Sequence, residues 1–179
     1  MTAIPFAIRR ATRCSSGAAL ALAGVWVLAN TATYREAEAW SIAKVVSATA
    51  DQGTHLQPHS ATFFVGLNTN HGVGLRIDQL CSTGPIAGLV LIITGLLMTF
   101  AGVRVHRSIL GAGLMIGIVT LVNGLRLTAL AWTAATWGLS GWFEWLHLYG
   151  GAALTMFAII GGCALYLRLL RRPTHTAAH

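Results

Sequence analysis

Three residues that are far apart in the chain carry side chains suited to acyl transfer. They are Cys81, Arg126 and His147, which offer a thiol, a fixed cation and an imidazole. A thiolate can attack a carbonyl, and a guanidinium can stabilise the oxyanion or hold a substrate carboxylate. An imidazole can pass a proton to the leaving amine. The three side chains predict a cysteine-based acyl-transfer site if the fold brings them together.

Cys81 stands at the predicted start of a helix. It is followed by Ser82, Thr83 and Gly84, then by Pro85 and an apolar stretch. Serine or threonine can cap a helix, and proline suits its first turn. Free N–H groups and the helix dipole at such an end favour a negatively charged sulfur.

Arg126 and Asn123 lie inside an apolar stretch, where polar side chains are costly and usually functional. Arg126 comes 19 residues after Arg107. That spacing is roughly 28 Å along a helix, close to the hydrocarbon thickness of about 30 Å. We therefore expect Arg126 at the outer boundary of the bilayer and Asn123 slightly deeper on the same helix face. The alternative, an arginine that snorkels to the headgroups, leaves Asn123 unexplained.

His147 begins the last apolar stretch, directly after several aromatic residues that are typical of a membrane interface. Considered alone, it is more typical of an interfacial histidine than of a catalyst. Glu144, three residues earlier, or Asp78 could orient its imidazole, and the sequence does not choose between them. The predicted depth, shared with Cys81 and Arg126, is what makes His147 a candidate.

The composition predicts a membrane protein. Of the 179 residues, 55% are hydrophobic and 9% are charged, whereas soluble domains have about 25% charged residues. A membrane-spanning helix needs roughly 20 apolar residues. We predict an all-α, multi-pass membrane protein that forms one domain over residues 1–179, with about four spans. The predicted spans are 15–31, 84–103, 108–130 and 148–169.

The charge pattern predicts the orientation of these spans. The net charge is +7, and most arginines fall before the first span, between the second and third, and after the fourth. By the positive-inside rule both termini are then cytoplasmic, and Cys81, Arg126 and His147 face the outside of the plasma membrane. The expected partners of the basic clusters are anionic lipids rather than nucleic acid. The first span has one alternative interpretation, a cleavable signal peptide.

Residues 32–83 form the predicted extracytoplasmic segment. Apolar residues at helical spacing over Glu36–Ala50 indicate an amphipathic helix at the interface. Gln52–His59 is predicted to be a loop. Ala61–Leu67 and Val73–Ile77 flank a turn sequence and predict a short hairpin that leads to Cys81.

Glycines spaced four residues apart indicate close helix packing. They are Gly84 and Gly88 in the second span, and Gly113 and Gly117 in the third. Small residues at this spacing let helix backbones approach each other in lipid. We expect the second and third spans to be in contact.

The motifs around the three candidate residues resemble those of the exosortase/archaeosortase family. Cys81–Gly84 (Cys-Ser-Thr-Gly) is similar to its Cys-Ser-Gly type motif, with one inserted residue. Asn123–Arg126 (Asn-Gly-Leu-Arg) is similar to its Asn-x-x-Arg motif. His147, followed by Gly150 and Phe157, is similar to its third signature. The resemblance covers roughly residues 60–160, so the chain would be a short form of the family's core.

The resemblance implies a membrane-embedded cysteine transpeptidase that needs no metal or cofactor. Its substrates would be exported proteins with a C-terminal motif, a transmembrane helix and a basic tail. Cys81 would be the nucleophile, Arg126 the oxyanion-stabilising or positioning residue, and His147 the third catalytic residue. Asn123, Glu144 and Asp78 are supporting candidates.

Two other function classes remain open from the residues alone. One is a small, non-catalytic membrane assembly or transport subunit that packs through its glycines. The other is a haem or metal carrier that uses His147, His71 and Cys81, although the chain lacks the paired ligand spacing of zinc sites. The substrate motif, the acceptor and the oligomeric state are also open.

Overall fold

The computed structural model describes residues 6–49, 53–139 and 141–171, which are mostly helical. A π-helical turn, Leu146–Gly150, joins the last two helices. The helices are α1 (Phe6–Ala29), α2 (Thr31–Thr49), α3 (Gly84–Phe100), α4 (Val105–Trp137), α5 (Trp142–Trp145) and α6 (Gly151–Arg171). The strands are β1 (Thr54–Leu56), β2 (Thr62–Val65) and β3 (Val73–Arg76).

Three helical stretches of the described residues are long and apolar enough to cross a membrane. They are Arg10–Ala29, Val105–Trp137 and Trp142–Arg171. The predicted span over 84–103 is the apolar helix α3, which has 17 residues. At about 26 Å it is somewhat shorter than the hydrocarbon core. The structure is thus compatible with an all-α membrane protein, with three helices of spanning length where four were predicted.

Helices α1 and α3 form a close antiparallel pair through glycines. Gly95 lies against the backbone carbonyl of Gly17, and a Cβ at position 95 would be 2.7 Å from the backbone nitrogen of Ala21. Two turns away, a Cβ on Gly88 would be 3.0 Å from the carbonyl oxygen of Gly24. The two backbones can approach this closely because no side chain separates them.

We predicted that glycines form the contact between the second and third spans. The two helices do touch, but the choice of glycines was wrong. Gly113 and Gly117 face open space, with no atom of the described residues within 4 Å of an added Cβ. Helices α3 and α4 do touch, but through a small core that includes Val90, Ala112 and Met115. Larger apolar side chains therefore form this interface, and Gly88 packs on α1 instead.

Helices α4 and α6 form the second antiparallel pair. Gly111 lies beneath the ring of Tyr166, and Gly162 lies against Met115. The hydroxyls of Tyr166 and Thr94 are 2.9 Å apart and share a hydrogen bond, which ties α6 to α3. The two helix pairs are in this way joined into one bundle.

A second core covers one end of this bundle. The strands form an antiparallel sheet in the order β1-β2-β3. Strands β2 and β3 are the predicted hairpin, and β1 adds a third strand within residues predicted to be a loop. The buried face of α2 and the sheet pack around the end of α4, which at 33 residues is about 50 Å long. Fully buried residues of this outer core are Ala39, Val46, Val65, Ala131 and Ala135.

We predict that Gly95→Ala lowers the free energy of unfolding by about 1–3 kcal/mol, since the new methyl overpacks the α1–α3 contact. Gly161→Ala is the matched control, because its Cβ meets no described atom within 4 Å and alanine favours a helix. Denaturant unfolding in detergent followed by circular dichroism measures both. Equal stability of the two variants would contradict the close contact.

Candidate active site

The antiparallel helix pairs bring Cys81, Arg126 and His147 to the same end of the bundle. The start of α3 lies beside the end of α1, and the start of α6 lies beside Arg126 of α4. At the opposite end, Arg13 of α1 donates a hydrogen bond of 3.3 Å to the carbonyl of Gly102, just after α3. The arginines near the start of α4 and the end of α6 lie toward that opposite end.

The backbone of Cys81 is held on both sides. Its N–H donates to the carbonyl oxygen of Asp78 at 3.0 Å. Its own carbonyl accepts a hydrogen bond from Nδ2 of Asn123 at 2.8 Å. The side chain is half-buried and packs against the outer core. The thiol therefore sits on a fixed loop and is partly accessible.

Asn123 links this loop to Arg126. Its side chain is 4% exposed, so both its donor and its acceptor need partners. Nδ2 binds the Cys81 carbonyl, and Oδ1 accepts a long hydrogen bond of 3.5 Å from Nη1 of Arg126. Asn123 and Arg126 are three residues apart and share a helix face, as predicted.

Arg126 lies across the start of α6. A Cβ on Gly151 would overlap Nε of Arg126, so only glycine leaves room for the guanidinium at this position. Nε is buried and has no hydrogen-bond partner within the described part of the chain. Arg126 is half-buried, so its guanidinium lies partly between α4 and α6 and keeps N–H groups without an acceptor among the described residues. Such a donor suits an oxyanion or a substrate carboxylate.

His147 reaches the same end of the bundle but does not join this hydrogen-bonded group. It lies on the π-helical turn, one turn before Gly151, and its side chain is exposed. Its ring stacks on Phe143 with 5.8 Å between ring centroids and 3° between planes. Phe143 in turn packs on the same outer core as Cys81. The imidazole is accessible to a substrate there, and π-helical turns are frequent at functional sites.

Neither supporting carboxylate orients the imidazole. Glu144 and Asp78 are both exposed, and none of the hydrogen bonds found among the described residues joins either carboxylate to His147. Asp78 contributes its backbone carbonyl to the turn that holds Cys81. The ring contact of His147 in this region is the stacking on Phe143.

Glu38 on α2 is a site residue that the sequence analysis missed. Its Oε1 accepts hydrogen bonds from the N–H of Thr83 at 2.9 Å and from the Thr83 hydroxyl at 2.6 Å. The ring of Tyr34, one turn earlier on α2, packs on Gly84. The sequence could have indicated Glu38, because it lies one turn before Ile42 and its carboxylate is therefore on the apolar side of α2.

These contacts also change the predicted surroundings of Cys81. The N–H of Thr83 is bound by Glu38, and the N–H of Gly84 donates to Oγ of Ser82 at 3.2 Å. These two N–H groups are thus occupied by oxygens and are not free to face the sulfur. Arg126 is the cation that the hydrogen bonds of Asn123 connect to the Cys81 carbonyl.

No group of three or more histidine, cysteine, aspartate or glutamate side chains in 6–49, 53–139 and 141–171 could hold a metal ion. All three cysteines are free thiols.

Comparison of the chain with known protein families, with curated proteins and with solved structures gives no match.

We predict that Asn123→Ala frees the Cys81 loop and speeds alkylation of Cys81. Loss of this hydrogen bond to a backbone carbonyl should raise the labelling rate about 2–10-fold. The measurement is the rate of maleimide labelling in a background with Cys14 and Cys163 changed to alanine. Thr120→Ala, one turn earlier on the same face, is the control that should leave the rate unchanged. An unaltered rate in Asn123→Ala would show that this bond does not hold the loop.

Proposed function

We propose that the protein is a membrane-embedded cysteine peptidase or transpeptidase that acts at the outer face of the plasma membrane. The observation that carries this proposal is the Asn123 bridge. One buried amide binds both the carbonyl of Cys81 and the guanidinium of Arg126, at 2.8 and 3.5 Å. The main chain that carries a partly accessible thiol is thereby linked to a cation with an unused N–H, and a thiol nucleophile and an oxyanion-stabilising donor are groups suited to acyl transfer.

The proposed reaction begins with attack of the Cys81 thiolate on a peptide carbonyl carbon. The C–S bond forms, and the guanidinium of Arg126 donates to the oxyanion of the tetrahedral intermediate. The C–N bond then breaks, and His147 gives a proton to the departing amine. The product is a thioester on Cys81, which water or an acceptor nucleophile resolves.

The charge distribution supports the sidedness of this proposal. The basic residues at the start of α1, after α3 and at the end of α6 lie at the end of the bundle away from Cys81. The positive-inside rule assigns that end to the cytoplasm. The proposed substrates are exported proteins whose C-terminal motif, transmembrane helix and basic tail match this orientation.

A second candidate function is a non-catalytic membrane assembly subunit. It is favoured by an exposed apolar groove of about 510 Å³ along α4, which includes Gly113 and Gly117. Neither glycine has a described neighbour within 4 Å of an added Cβ, so a helix of another protein could pack there. This function would leave the Asn123 bridge without a chemical role.

We predict that Cys81→Ala stops processing of a co-expressed exported protein with the C-terminal signal. Removal of a nucleophile lowers such rates by at least about 1,000-fold. Cys14→Ala and Cys163→Ala are matched controls that should process normally. The readout is substrate size on a gel and the mass of its new C terminus. Continued processing by Cys81→Ala would rule out this nucleophile and favour the assembly subunit.

We predict that Arg126→Lys slows processing about 100-fold, because lysine lacks the planar guanidinium that would donate to the oxyanion. Gly151→Ala should slow it by about 10–100-fold, since the methyl displaces the guanidinium by about 1 Å. Gly161→Ala, on the same helix and in open space, is its control. Normal rates in both test variants would exclude the assigned role of Arg126.

A further inference from the structure

A cavity lies between α2 and α4, beside the loop that carries Cys81. Its volume is about 290 Å³. One side is a stripe of α2 and the other a stripe of α4, and most of the wall is apolar. The lining residues are Tyr34, Ala37, Glu38, Ser41, Ile42, Thr120, Asn123, Gly124 and Leu127.

Only one of the two carboxylate oxygens of Glu38 is hydrogen-bonded to another described residue. Oε1 binds Thr83, whereas Oε2 is buried and has no hydrogen-bond partner among the described residues. A buried carboxylate oxygen without a donor is strongly unfavourable. Glu38 also lines the cavity, so a rotation of its carboxylate would present this oxygen to a donor bound there.

The cavity adjoins the main chain of the candidate nucleophile. Asn123 lines it and binds the Cys81 carbonyl, and Glu38 lines it and binds the N–H of Thr83 two residues later. The cavity is therefore connected to the Cys81 loop through two of its lining side chains.

We propose that this cavity binds a primary amine with a short apolar chain, which is the acceptor of the acyl group. This inference rests on the proposed function. A carboxylate attracts an ammonium or amine donor and repels acids and phosphates. The apolar walls favour an alkyl chain over a sugar or other polar group. The acceptor class is thus an amphipathic amine.

The transfer step balances without a further reactant. An ammonium in the cavity gives one proton to the Glu38 carboxylate, which leaves a lone pair on nitrogen. The nitrogen attacks the thioester carbonyl, a C–N bond forms and the C–S bond breaks. The departing Cys81 thiolate takes the second proton, and Glu38 later returns the first to water. The products are an amide and the free thiol.

Glu38→Gln separates amine binding from support of the loop. Its amide oxygen can still accept both hydrogen bonds from Thr83, but its NH₂ replaces the acceptor Oε2. With n-butylamine added to membranes that process the exported substrate, mass spectrometry gives the ratio of butylamide to free acid at the new C terminus. We expect this ratio to fall by about tenfold or more in Glu38→Gln, as for loss of a hydrogen bond to a charged group.

Gly124→Leu tests the same cavity without altering the carboxylate. A Cβ at Gly124 meets no described atom within 4 Å, so leucine would fill the cavity and leave the fold intact. The ratio should fall here too and stay unchanged in Gly161→Leu, which faces open space on α6. Wild-type ratios in both Glu38→Gln and Gly124→Leu would overturn the proposal.

A binding measurement distinguishes failure of this inference from failure of the proposed function. Saturation-transfer NMR of n-butylamine with the full-length Cys81→Ala protein should show binding that n-butanol does not displace and that Gly124→Leu removes. Absence of binding, or equal binding of n-butanol, overturns the amine site. If butylamine binds but Cys81→Ala still processes the substrate, the acceptor role is overturned because the nucleophile assignment has failed.

Discussion

The buried side chain of Asn123 must satisfy a donor and an acceptor inside an apolar helix, and the candidate site follows from how it does so. An unsatisfied amide in this position would destabilise the protein by about 1–3 kcal/mol. Its donor binds the loop before α3 and its acceptor binds Arg126 on its own helix. One side chain of α4 therefore binds both the Cys81 loop and the guanidinium. The way α3 packs against α4 thus sets where Cys81 lies relative to Arg126.

Helix packing supports this bridge from both sides. Glycines allow the backbones of α1 and α3 to touch, and Gly151 leaves room for Arg126 against α6. On the other side, Glu38 and Tyr34 of α2 hold the first residues of α3. Five helices (α1, α2, α3, α4 and α6) thus form or support one site, mainly through small residues and hydrogen bonds.

Much of this arrangement could be predicted from local patterns. Apolar stretches located the helices, although α1 begins before and α4 ends well beyond the predicted span, and turn residues located the β2–β3 hairpin. The 19-residue spacing from Arg107 placed Arg126 at the same end as Cys81. Strand β1 was missed because three residues carry too weak an alternation to separate a strand from a loop. The continuation of α4 past Leu130 was missed because its last turns are buried by the sheet rather than by lipid.

The sequence by itself determined which residues are costly in an apolar setting and how far along their helices they lie, because hydrophobicity and helical rise are local properties. The tertiary structure alone decided their partners. Gly88 packs on α1 while Gly113 faces open space, and Glu38 binds Thr83 across 45 residues of chain. These choices depend on the rotation and pairing of whole helices. Helical spacing restricts such rotations but cannot select one of them.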